Sequence, residues 1–534
     1  MTAEQSVPPV GARDQITEVI VVGYGPVGVV LAALLGQRGL RVTVVEPATE
    51  PFPLPRAIAL DDEVLRTLIR LPGLATLLDE VNHWQRVAFL GPDHRVITEI
   101  EFGETALGMP AGAFFHQPTV ERQLRDGVAT LPSVEVRLGR SVVAVDQDTD
   151  GVTAQLDDGT AVRGGWLVAC DGAGSSVRTR LGIPYRGTSY SQPWLVVDVA
   201  TDGPLRHLPY FSYVCDPRRP SVNMPMPGGH RWEWMLLPGE DPARMETPAA
   251  VEELLSAWVE PGSVDLVRAA VYTFHARRAA RWRQGRVLLA GDAAHCMPPF
   301  AGQGLAAGVR DAVALSWRLH EVLRGLATAD ILDGYEVERR PHVVAATRTA
   351  LLAGRILQST HLGRSALLRA ALRAVDATPG LGGWFRRGGA RPRPGLRRRT
   401  AGRHPSAGRA LPNPRVRTLA GHVCRLDELL GISWAVLAEG CDPLGQLGGE
   451  AIEWARRRGA ATLAIVDPGD LRSVASLTCP VAEDLDGTVL ALLRSRGGTP
   501  GVAVVRPDHY LHGLLAPPVE IGDLSLVHPD RGPT

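Results

Sequence analysis

The hydrophobic pattern near the amino end of the chain predicts a strand, a turn and a helix. A β-branched run at 19–22 is followed by closely spaced glycines, and apolar residues then recur with helical periodicity to about residue 36. A second apolar run at 42–45 completes a βαβ unit, which predicts parallel strands in an α/β domain. The stretch from 19 to 36 approaches the length of a membrane span, but its glycines and its proline favour the strand–turn–helix interpretation.

The pattern changes further along the chain. Short strands separated by D-G and G-G turns precede residue 185, and alternating segments within 186–284 predict a mostly antiparallel sheet. A buried strand and a long helix return after 285. Residues 386–416 are rich in Gly, Pro and Arg, which favours a solvated linker over a nucleic-acid-binding segment because no aromatic platform accompanies them. Strands and helical stretches in 417–534 predict a small separate α/β domain.

The composition and charge of the chain argue against nucleic acid and anionic membranes as partners. The 534 residues carry 57 basic and 57 acidic side chains, so no overall field favours nucleic acid or an anionic membrane. All of the basic residues are arginine. The amino-terminal residues lack the basic segment and apolar core of a signal peptide. Six cysteines without a C-x-x-C pair predict reduced thiols, and we expect a cytoplasmic protein.

The first glycine motif predicts a dinucleotide site. Gly23, Gly25 and Gly28, with Pro26 between them, follow a strand and open a helix, and Glu46 ends the next strand. Such a turn lets backbone N–H groups approach a pyrophosphate at the positive end of a helix. An acid at the end of the second strand accepts hydrogen bonds from a ribose diol. The motif by itself does not distinguish NAD from FAD.

A second motif, "GDAAHCMPPFAGQG" at 291–304, brings an acid, a histidine and a cysteine together. A metal site would need His295 and Cys296 to converge with further ligands, yet adjacent residues point apart and no second ligand pair is spaced to help. Cys296 as a nucleophile lacks an evident base and acid around it. A buried thiol and a structural histidine are the favoured interpretations, which leaves a loop built to hold a ligand.

Three motifs together resemble those of the flavoprotein aromatic hydroxylases of the para-hydroxybenzoate hydroxylase type. They are the first glycine motif, "CDGAGSSVR" at 170–178 and the 291–304 loop, which leads into the helix "LAAGVRDA". Within this class the chain most resembles the 3-(3-hydroxyphenyl)propionate and 3-hydroxycinnamate hydroxylases, through the stretches "PRAIALDDEVLRTL", "WLVVDVA", "CDPRRP" and "RPDHY". The resemblance spans about residues 17–515, and its combined motifs are specific.

The resemblance implies a set of site residues. Asp292 would bind the ribityl hydroxyls of FAD, and Pro299 would form a rigid wall where oxygen reacts, its carbonyl facing the substrate. A helix N-terminus stabilises the anionic reduced flavin. Arg231 is the candidate to reach flavin and substrate, against the alternative of an exposed sheet arginine. The further implied FAD contacts are Arg56, Gln117, Gly302, Gln303, Gly304 and Leu305; Asp171 and Arg178 match positions tied to the pyrophosphate and to nicotinamide use.

Other positions stay open. Tyr213, Arg218, Tyr272 and His275 are polar or aromatic residues of the same region, for which surface or packing roles are at least as well supported. Relatives often carry Asn where this chain has Ala306, which removes a side-chain contact or cap but keeps the backbone donors.

The implied fold is a Rossmann-like FAD-binding domain with an inserted, mostly antiparallel substrate-binding sheet and a carboxy-terminal thioredoxin-like domain that is redox-inactive. The expected organisation is FAD-binding parts at 1–185 and 285–385, the inserted sheet at 186–284, the linker at 386–416 and the last domain at 417–534.

The implied activity is that of an FAD monooxygenase. NADH or NADPH would reduce the flavin, and a C4a-hydroperoxide formed with O2 would hydroxylate a phenol beside its hydroxyl group. Three alternatives stay open: a hydroxylase that tailors antibiotic or polyketide polycyclic aromatics, a Baeyer–Villiger-type oxygenase, and a non-catalytic flavin-binding protein. A halogenase would need a lysine that this chain lacks. A homodimer is also expected, with no nucleic-acid or membrane partner.

Overall fold

The computed structural model describes residues 17–189, 192–203, 205–208, 210–357, 359–387, 395–396, 406–474, 476–496 and 501–524 of the 534-residue chain. Strands and helices are numbered in chain order. The predicted linker at 386–416 lies partly outside the described residues, because they do not include 388–394 and 397–405.

An eight-stranded sheet forms the centre of the first domain. Its strands are β1 (Thr17–Val22), β2 (Val42–Glu46), β8 (Val134–Leu138), β9 (Val142–Gln147), β10 (Val152–Leu156), β11 (Ala161–Ala169), β19 (Arg283–Gln284) and β20 (Val287–Leu289). The order is β19-β20-β11-β1-β2-β8, with β10 and β9 as an antiparallel branch from β11. β20, β11, β1, β2 and β8 run parallel, and β1 is almost wholly buried, as in a sheet covered on both faces. The predicted βαβ unit is confirmed.

The first domain also contains helices. They are α1 (Pro26–Gln37), α2 (Asp62–Leu68), α3 (Leu77–Glu80), α4 (Gln117–Ala129), α5 (Ser176–Arg180), α8 (Gly304–Leu323), α9 (Asp333–Leu357), α10 (Leu362–Ala377) and α11 (Leu381–Arg386). α1 contacts both α4 and α8. A Cβ atom on Gly308 of α8 would lie only 2.5 Å from Val27 Cγ2 of α1, so the lack of a side chain permits this close approach. The two helices that begin at the glycine motifs therefore lie side by side.

The second large sheet is inserted between the two parts of the first domain. Its strands are β5 (Arg86–Leu90), β6 (Val96–Glu101), β13 (Trp194–Ala200), β14 (Phe211–Val214), β15 (Ser221–Met226), β16 (Gly229–Met235) and β17 (Asp265–Tyr272). They follow the order β17-β13-β16-β15-β14-β5-β6, and only the β14–β5 pair is parallel. Helices α6 (Pro242–Met245) and α7 (Pro248–Leu255) lie beside it. Because β5 and β6 join it, the sheet is not confined to 186–284.

Two small sheets connect these layers. One contains β12 (Tyr185–Ser189), β18 (His275–Ala279) and β21 (His295–Cys296). The other contains β3 (Ala59–Asp61), β4 (Asn82–His83) and β7 (Gly112–Phe114). The first holds the 291–304 loop against the inserted sheet, and the second holds the segment that follows Arg56. Both therefore place candidate residues at the boundary between the layers.

The carboxy-terminal part forms its own mixed sheet. Its strands are β22 (Arg415–Thr418), β23 (Val423–Arg425), β24 (Ala435–Glu439), β25 (Ala461–Val466), β26 (Val481–Asp484), β27 (Val502–Val505) and β28 (Leu511–Leu515), and its helices are α12 (Leu426–Leu430), α13 (Gly449–Arg457) and α14 (Thr488–Leu493). The order is β23-β22-β26-β25-β24-β27-β28, with β24, β25 and β26 parallel. A separate α/β unit is confirmed, whereas its thioredoxin-like character stays a prediction.

The last domain packs closely on the first. Trp317 of α8 meets Trp434 edge-on with ring centroids 5.8 Å apart, and both side chains are buried. Aromatic contacts of this kind contribute packing beyond their buried area. Within the part of the chain that the structure describes, no helix is long and apolar enough to cross a membrane.

Candidate active site

The first glycine turn combines two crowded glycines with an open one. Gly23 has a φ of 98°, and a Cβ there would lie 2.5 Å from the carbonyl oxygen of Cys170. A Cβ on Gly28 would lie 2.0 Å from the carbonyl oxygen of Gly23. A Cβ on Gly25 would meet no heavy atom within 4 Å. The turn itself thus requires Gly23 and Gly28, whereas Gly25 leaves room for a ligand to approach the backbone.

The amino end of α1 is available to an anion. Pro26 begins the helix and Gly25, its N-cap, contributes no side-chain hydrogen bond, so the first N–H groups keep their capacity to bind a ligand. Glu46 lies beside this end, where its Oε2 accepts from Tyr24 N at 2.6 Å and its Oε1 accepts from Ala48 N at 2.9 Å. Each carboxylate oxygen can accept a further bond, so Glu46 is held in place and still able to bind a ribose diol.

The 170–178 motif lies next to that turn and contains an unsatisfied carboxylate oxygen. Asp171 Oδ2 accepts from Val177 N at 3.1 Å and from the Ser176 hydroxyl at 3.4 Å. Its Oδ1 is buried without a hydrogen-bond partner among the described residues. Buried acceptors are nearly always satisfied in native proteins. The orphaned oxygen therefore marks a position where a bound ligand would complete the site.

Arg178 ties this motif to the 291–304 loop. It is buried, and its guanidinium donates to the carbonyls of Ala293 at 2.9 Å and Ala173 at 2.7 Å. The guanidinium also lies 3.8 Å from the ring centroid of Tyr185, whose hydroxyl donates to Asp292 O at 2.9 Å. These bonds hold the loop by its backbone. The nicotinamide role that the sequence suggests for Arg178 stays a prediction.

Asp292 lies shortly after the end of β20. The strand stops at Leu289, and Asp292 lies in a 3₁₀ turn at Gly291–Ala293. A Cβ on Gly291 would lie 2.9 Å from Val27 Cγ2, so the turn sits directly on the start of α1. The Asp292 residue is accessible to solvent. The protein atoms around its carboxylate nevertheless displace part of its hydration and raise its pKa, while His295 and Arg56 oppose that shift. It faces outward from the turn, as a ligand-binding carboxylate must.

The histidine and cysteine of the loop have structural surroundings. His295 Nε2 lies 2.6 Å from Asp311 Oδ2, and Arg339 Nε donates to the other oxygen of Asp311 at 2.9 Å. Burial raises the pKa of the Cys296 thiol to about 12, so the nucleophilic thiolate is not populated at neutral pH. No group of three or more metal-ligating side chains occurs within the described ranges. The structure supports the interpretation of His295 as a structural residue.

A second uncapped helix end follows the loop. Gly302 adopts a φ of 61°, and Gln303, the N-cap of α8, makes no side-chain cap bond. Its Nε2 donates instead to Asp61 Oδ2 at 3.3 Å. Gly304 and Leu305 begin the helix and are half-buried, so their N–H groups border accessible space. This end can stabilise negative charge on a ligand.

The segment around Arg56 is fixed from two sides. Gln117 Oε1 accepts from the backbone N–H groups of Arg56 at 3.1 Å and Ala57 at 2.8 Å. From the other side, Arg231 donates to the carbonyls of Pro55 at 2.7 Å and Arg56 at 3.2 Å. Gln117 is itself buried and acts here on the protein backbone. Direct contacts of Arg56 and Gln117 with FAD stay predictions.

Arg231 is a buried residue of β16, so the alternative of an exposed sheet arginine is wrong. Its side chain is 3% exposed and pairs with Asp198, Nε to Oδ1, at 2.6 Å. Arg268 on β17 lies 3.6 Å from the same carboxylate and donates to Pro55 O at 2.8 Å. The pair anchors the sheet to the segment before Arg56. Arg231 thereby occupies the boundary between the layers, and its contact with flavin or substrate stays a prediction.

An apolar surface covers the same face of the inserted sheet near the 291–304 loop. Its buried members are Ile58, Phe114, Trp194, Val222, Met224, Met226, Met235 and Phe300. Tyr213 donates to the carbonyl of Phe300 at 3.1 Å, and exposed Pro299 directly precedes Phe300 in a 3₁₀ turn. A wall of apolar and aromatic side chains suits a planar, mostly apolar ligand.

Sequence reasoning did not select Glu233, an acid that shares this face with Asp198. It follows Arg231 by two residues on β16, and its side chain is 16% exposed. Burial raises its pKa, with Arg231 opposing that shift. The alternation along β16 placed it on the same face as Arg231, but only the fold reveals that this face points inward.

The remaining polar candidates lie in dissimilar places. Tyr272 accepts a hydrogen bond from Arg268 on the inward face. His275 Nδ1 lies 3.0 Å from the Ser189 hydroxyl in the small β12–β18 sheet. Arg218 is exposed and pairs with Asp216 at 2.9 Å. Ala306 is buried near the start of α8, so the backbone donors survive the absence of an asparagine there.

Comparisons with known proteins agree with this geometry. The FAD binding domain family model matches residues 16–350, and the HcaD C-terminal domain model matches 408–523. The 3-(3-hydroxy-phenyl)propionate/3-hydroxycinnamic acid hydroxylase of Escherichia coli K12 is 34% identical over 519 residues, which cover 95% of this chain and 93% of that protein.

Two solved structures share the fold. OxyS anhydrotetracycline hydroxylase from Streptomyces rimosus is 28% identical, with a TM-score of 0.71, 94% of this chain covered and 96% of that chain. Aklavinone-11 hydroxylase, solved as a ternary complex with FAD and aklavinone, has a TM-score of 0.72 at 24% identity, with 93% and 95% covered, and shows the fold alone. The chain belongs to the FAD binding domain family and is an FAD-dependent hydroxylase of the aromatic hydroxylase class, with FAD as its cofactor.

Proposed function

We propose that this enzyme uses NADH or NADPH and O2 to hydroxylate a phenolic ring beside its hydroxyl group. The observation that carries the proposal is the convergence of two uncapped helix ends, those of α1 and α8, next to an apolar wall on the inserted sheet. The contacts of Val27 with Gly291 and Gly308 bring the two ends together. One end suits a pyrophosphate and the other suits an anionic ring.

The residues present fit FAD. The open side of Gly25, the unsatisfied Oδ1 of Asp171 and the outward carboxylate of Asp292 are three ligand-facing features of one region. When bound, FAD supplies the electron and oxygen transfer, by the route expected from the sequence. The protein would hold the dinucleotide through the α1 end and Glu46, and would place the helix dipole of α8 beside the flavin ring.

The chain's own residues would also shape the substrate site. Pro299 and Phe300 form a rigid border to the apolar wall, which excludes water from the reacting ring. Glu233 lies on the same face as that wall, and burial raises its pKa, which favours the protonated form that could donate to a substrate oxygen. Arg231 would fix the segment before Arg56 through its bonds to Pro55 and Arg56, and would reach from there toward flavin and substrate.

The first substrates to test are 3-(3-hydroxyphenyl)propionate and 3-hydroxycinnamate, because the Escherichia coli relative is named for them. One observation favours a second candidate. The arginines on the inward face, Arg231 and Arg268, are both paired with Asp198, so that carboxylate already compensates their positive charge. This arrangement suits an uncharged polycyclic aromatic, as an antibiotic-tailoring hydroxylase or a Baeyer–Villiger-type oxygenase would bind.

The test is substrate-stimulated NAD(P)H oxidation by the purified yellow protein, with ¹⁸O2 and mass spectrometry of the product. We expect one class of phenol to accelerate flavin reduction and to gain a single ¹⁸O atom at a ring carbon. Insertion beside a ketone would identify the Baeyer–Villiger alternative. If neither NADH nor NADPH reduced the bound flavin in the presence of any phenol tested, the protein would be a non-catalytic flavin-binding protein.

We further propose that the enzyme works in the cytoplasm as a homodimer, without a nucleic-acid or membrane partner. The balanced charge of the chain supports the absence of those partners. Light scattering on the purified protein measures its oligomeric state directly.

A further inference from the structure

The turn "RPDHY" at 506–510 matches the family pattern, yet the proposed chemistry does not use it. It connects β27 to β28 in the last domain and points toward the first. Arg506 forms a two-armed ion pair with Glu338 of α9 at 2.8 and 2.9 Å. Asp508 accepts from the indole of Trp317 on α8 at 3.1 Å. Through this turn the last domain therefore contacts helices α8 and α9 of the first domain.

The last residue of the turn starts a chain of polar contacts that ends beside the flavin site. The Tyr510 hydroxyl bonds to Glu63 Oε1, and Arg310 Nε donates to Glu63 Oε2 at 2.7 Å. Arg310 Nη2 donates to Asp61 Oδ2 at 2.7 Å. The same Asp61 oxygen accepts from Gln303 Nε2 at 3.3 Å. Four contacts thus join the last domain to the N-cap residue of α8.

The chain of contacts is shielded from water. The side chains of Arg310, Glu63 and Asp61 are 7%, 13% and 6% exposed, and Tyr510 is buried. Burial lowers the pKa of the Arg310 guanidinium, but Asp61 and Glu63 raise it well above the usual value, so Arg310 stays charged. Hydrogen bonds to charged groups in a poorly hydrated site are stronger and less adaptable than those at a surface.

Asp61, at the end of this chain of contacts, is coupled to the turn that precedes α8. Asp61 caps α2 by accepting from Val64 N at 3.1 Å, so its carboxylate has little freedom to move. A Cβ on Gly302 would lie 3.7 Å from Ala59 Cβ, which places the turn before α8 in contact with the same strand. A shift of Asp61 would therefore be transmitted to Gln303 by a bond and to Gly302 by packing.

We propose that Tyr510 is a positioning residue through which the last domain sets the α8 N-terminus for FAD. The inference rests on the proposed function, because it assumes that this helix end faces the flavin. It assigns the last domain a part in cofactor binding that needs no thiol chemistry.

A purely structural role for the interface is the competing explanation, and the chain offers a matched control. At the opposite end of α8, Glu321 pairs with Arg458 of the last domain at 2.9 Å, and the Arg458 and Glu321 side chains are 9% and 4% exposed. Both contacts link α8 to the last domain, directly in the case of Glu321 and through Glu63 of α2 in the case of Tyr510. Only the contact through Tyr510 leads to Gln303.

The experiment compares Tyr510→Phe with Arg458→Gln in the full-length protein. Apoprotein is titrated with FAD and followed by flavin fluorescence, and apoprotein Tm is measured separately. Loss of one hydrogen bond to a charged group should weaken FAD binding by about three- to tenfold in Tyr510→Phe. Arg458→Gln should lower Tm at least as much while its FAD Kd stays within about twofold of the wild type.

A second variant keeps the test decisive if the first fails to fold. Glu63→Gln preserves the shape of the side chain but removes its charge opposite Arg310. Glu63→Gln alone should also weaken FAD binding, and where both variants fold their effects on FAD Kd should be non-additive, because both interrupt one chain of contacts. Equal FAD Kd values for the wild type and every folded variant would overturn the inference. A wild-type protein that binds no FAD would instead overturn the proposed function.

Discussion

Gly25 and Gly28 lie in one turn, yet an added methyl group should harm the protein differently at each position. At Gly25 the backbone has φ −72° and ψ −172°, which alanine also adopts, and the new Cβ would meet no heavy atom within 4 Å. Gly25→Ala should therefore fold, with a loss of about 0.5–1 kcal/mol for a poorer N-cap residue. At Gly28 the new Cβ would lie 2.0 Å from the Gly23 carbonyl oxygen. Backbone must move there, so Gly28→Ala should unfold the turn.

The expected effect on FAD follows from the same distances. In Gly25→Ala the methyl group occupies the side from which the pyrophosphate approaches, and such overpacking costs about 1–3 kcal/mol. Because about 1.4 kcal/mol corresponds to a tenfold change in Kd, FAD binding should weaken by between about fivefold and about a hundredfold. The assay is a fluorescence titration of apoprotein with FAD, with apoprotein Tm as the control for folding. A Gly25→Ala protein with wild-type FAD affinity, or a Gly28→Ala protein with wild-type Tm, would refute the reasoning.

Three further predictions concern the inward-facing side chains. Arg231→Met should lower the free energy of unfolding by about 3 kcal/mol, because Asp198 would keep only the more distant Arg268 as a partner. Its Tm should fall further than that of Arg163→Met, which breaks an exposed ion pair, and equal decreases would contradict the buried role. Glu233→Gln should raise Tm at pH 8 but not at pH 4. The pKa of Glu233 is raised in the folded protein, so its ionisation above the unfolded-state pKa destabilises the fold, and glutamine cannot ionise. A lower Tm of the variant at pH 8 would count against this. Cys296, with a pKa of about 12, should react with iodoacetamide at pH 7 far more slowly than a free thiol, as peptide mass spectrometry can show; rapid labelling would disprove its burial.

The local parts of the site were predictable from the sequence. Gly23, Gly28 and Glu46 lie where the strand–turn–helix pattern placed them, because neighbouring residues decide that geometry. The start of α8 was marked by the glycines at 302 and 304 in the same way. The last domain was also recognised as an α/β unit from its alternating strands and helices.

Contacts between distant segments were not predictable. The pairing of β5 with β14 joins residues more than a hundred positions apart, and no local pattern reports such a register. The burial of Arg231 depends on Asp198 of a neighbouring strand and on the carbonyls near Arg56. Tyr510 and Glu63 carry no local sign that they meet. Gly308 offered one usable signal, since a glycine inside a helix often marks a close approach.

The position of Val27 against Gly291 and Gly308 has a consequence for biosynthesis. The N-terminal ends of α1 and α8 are separated in the sequence by the whole inserted sheet, so a ribosome-bound chain that ends before α8 has only the first of them. Such a nascent intermediate would lack the partner surface that seats the first helix, and should retain FAD poorly. Flavin capture would then mark the completion of the polypeptide's first domain rather than the emergence of its opening motif.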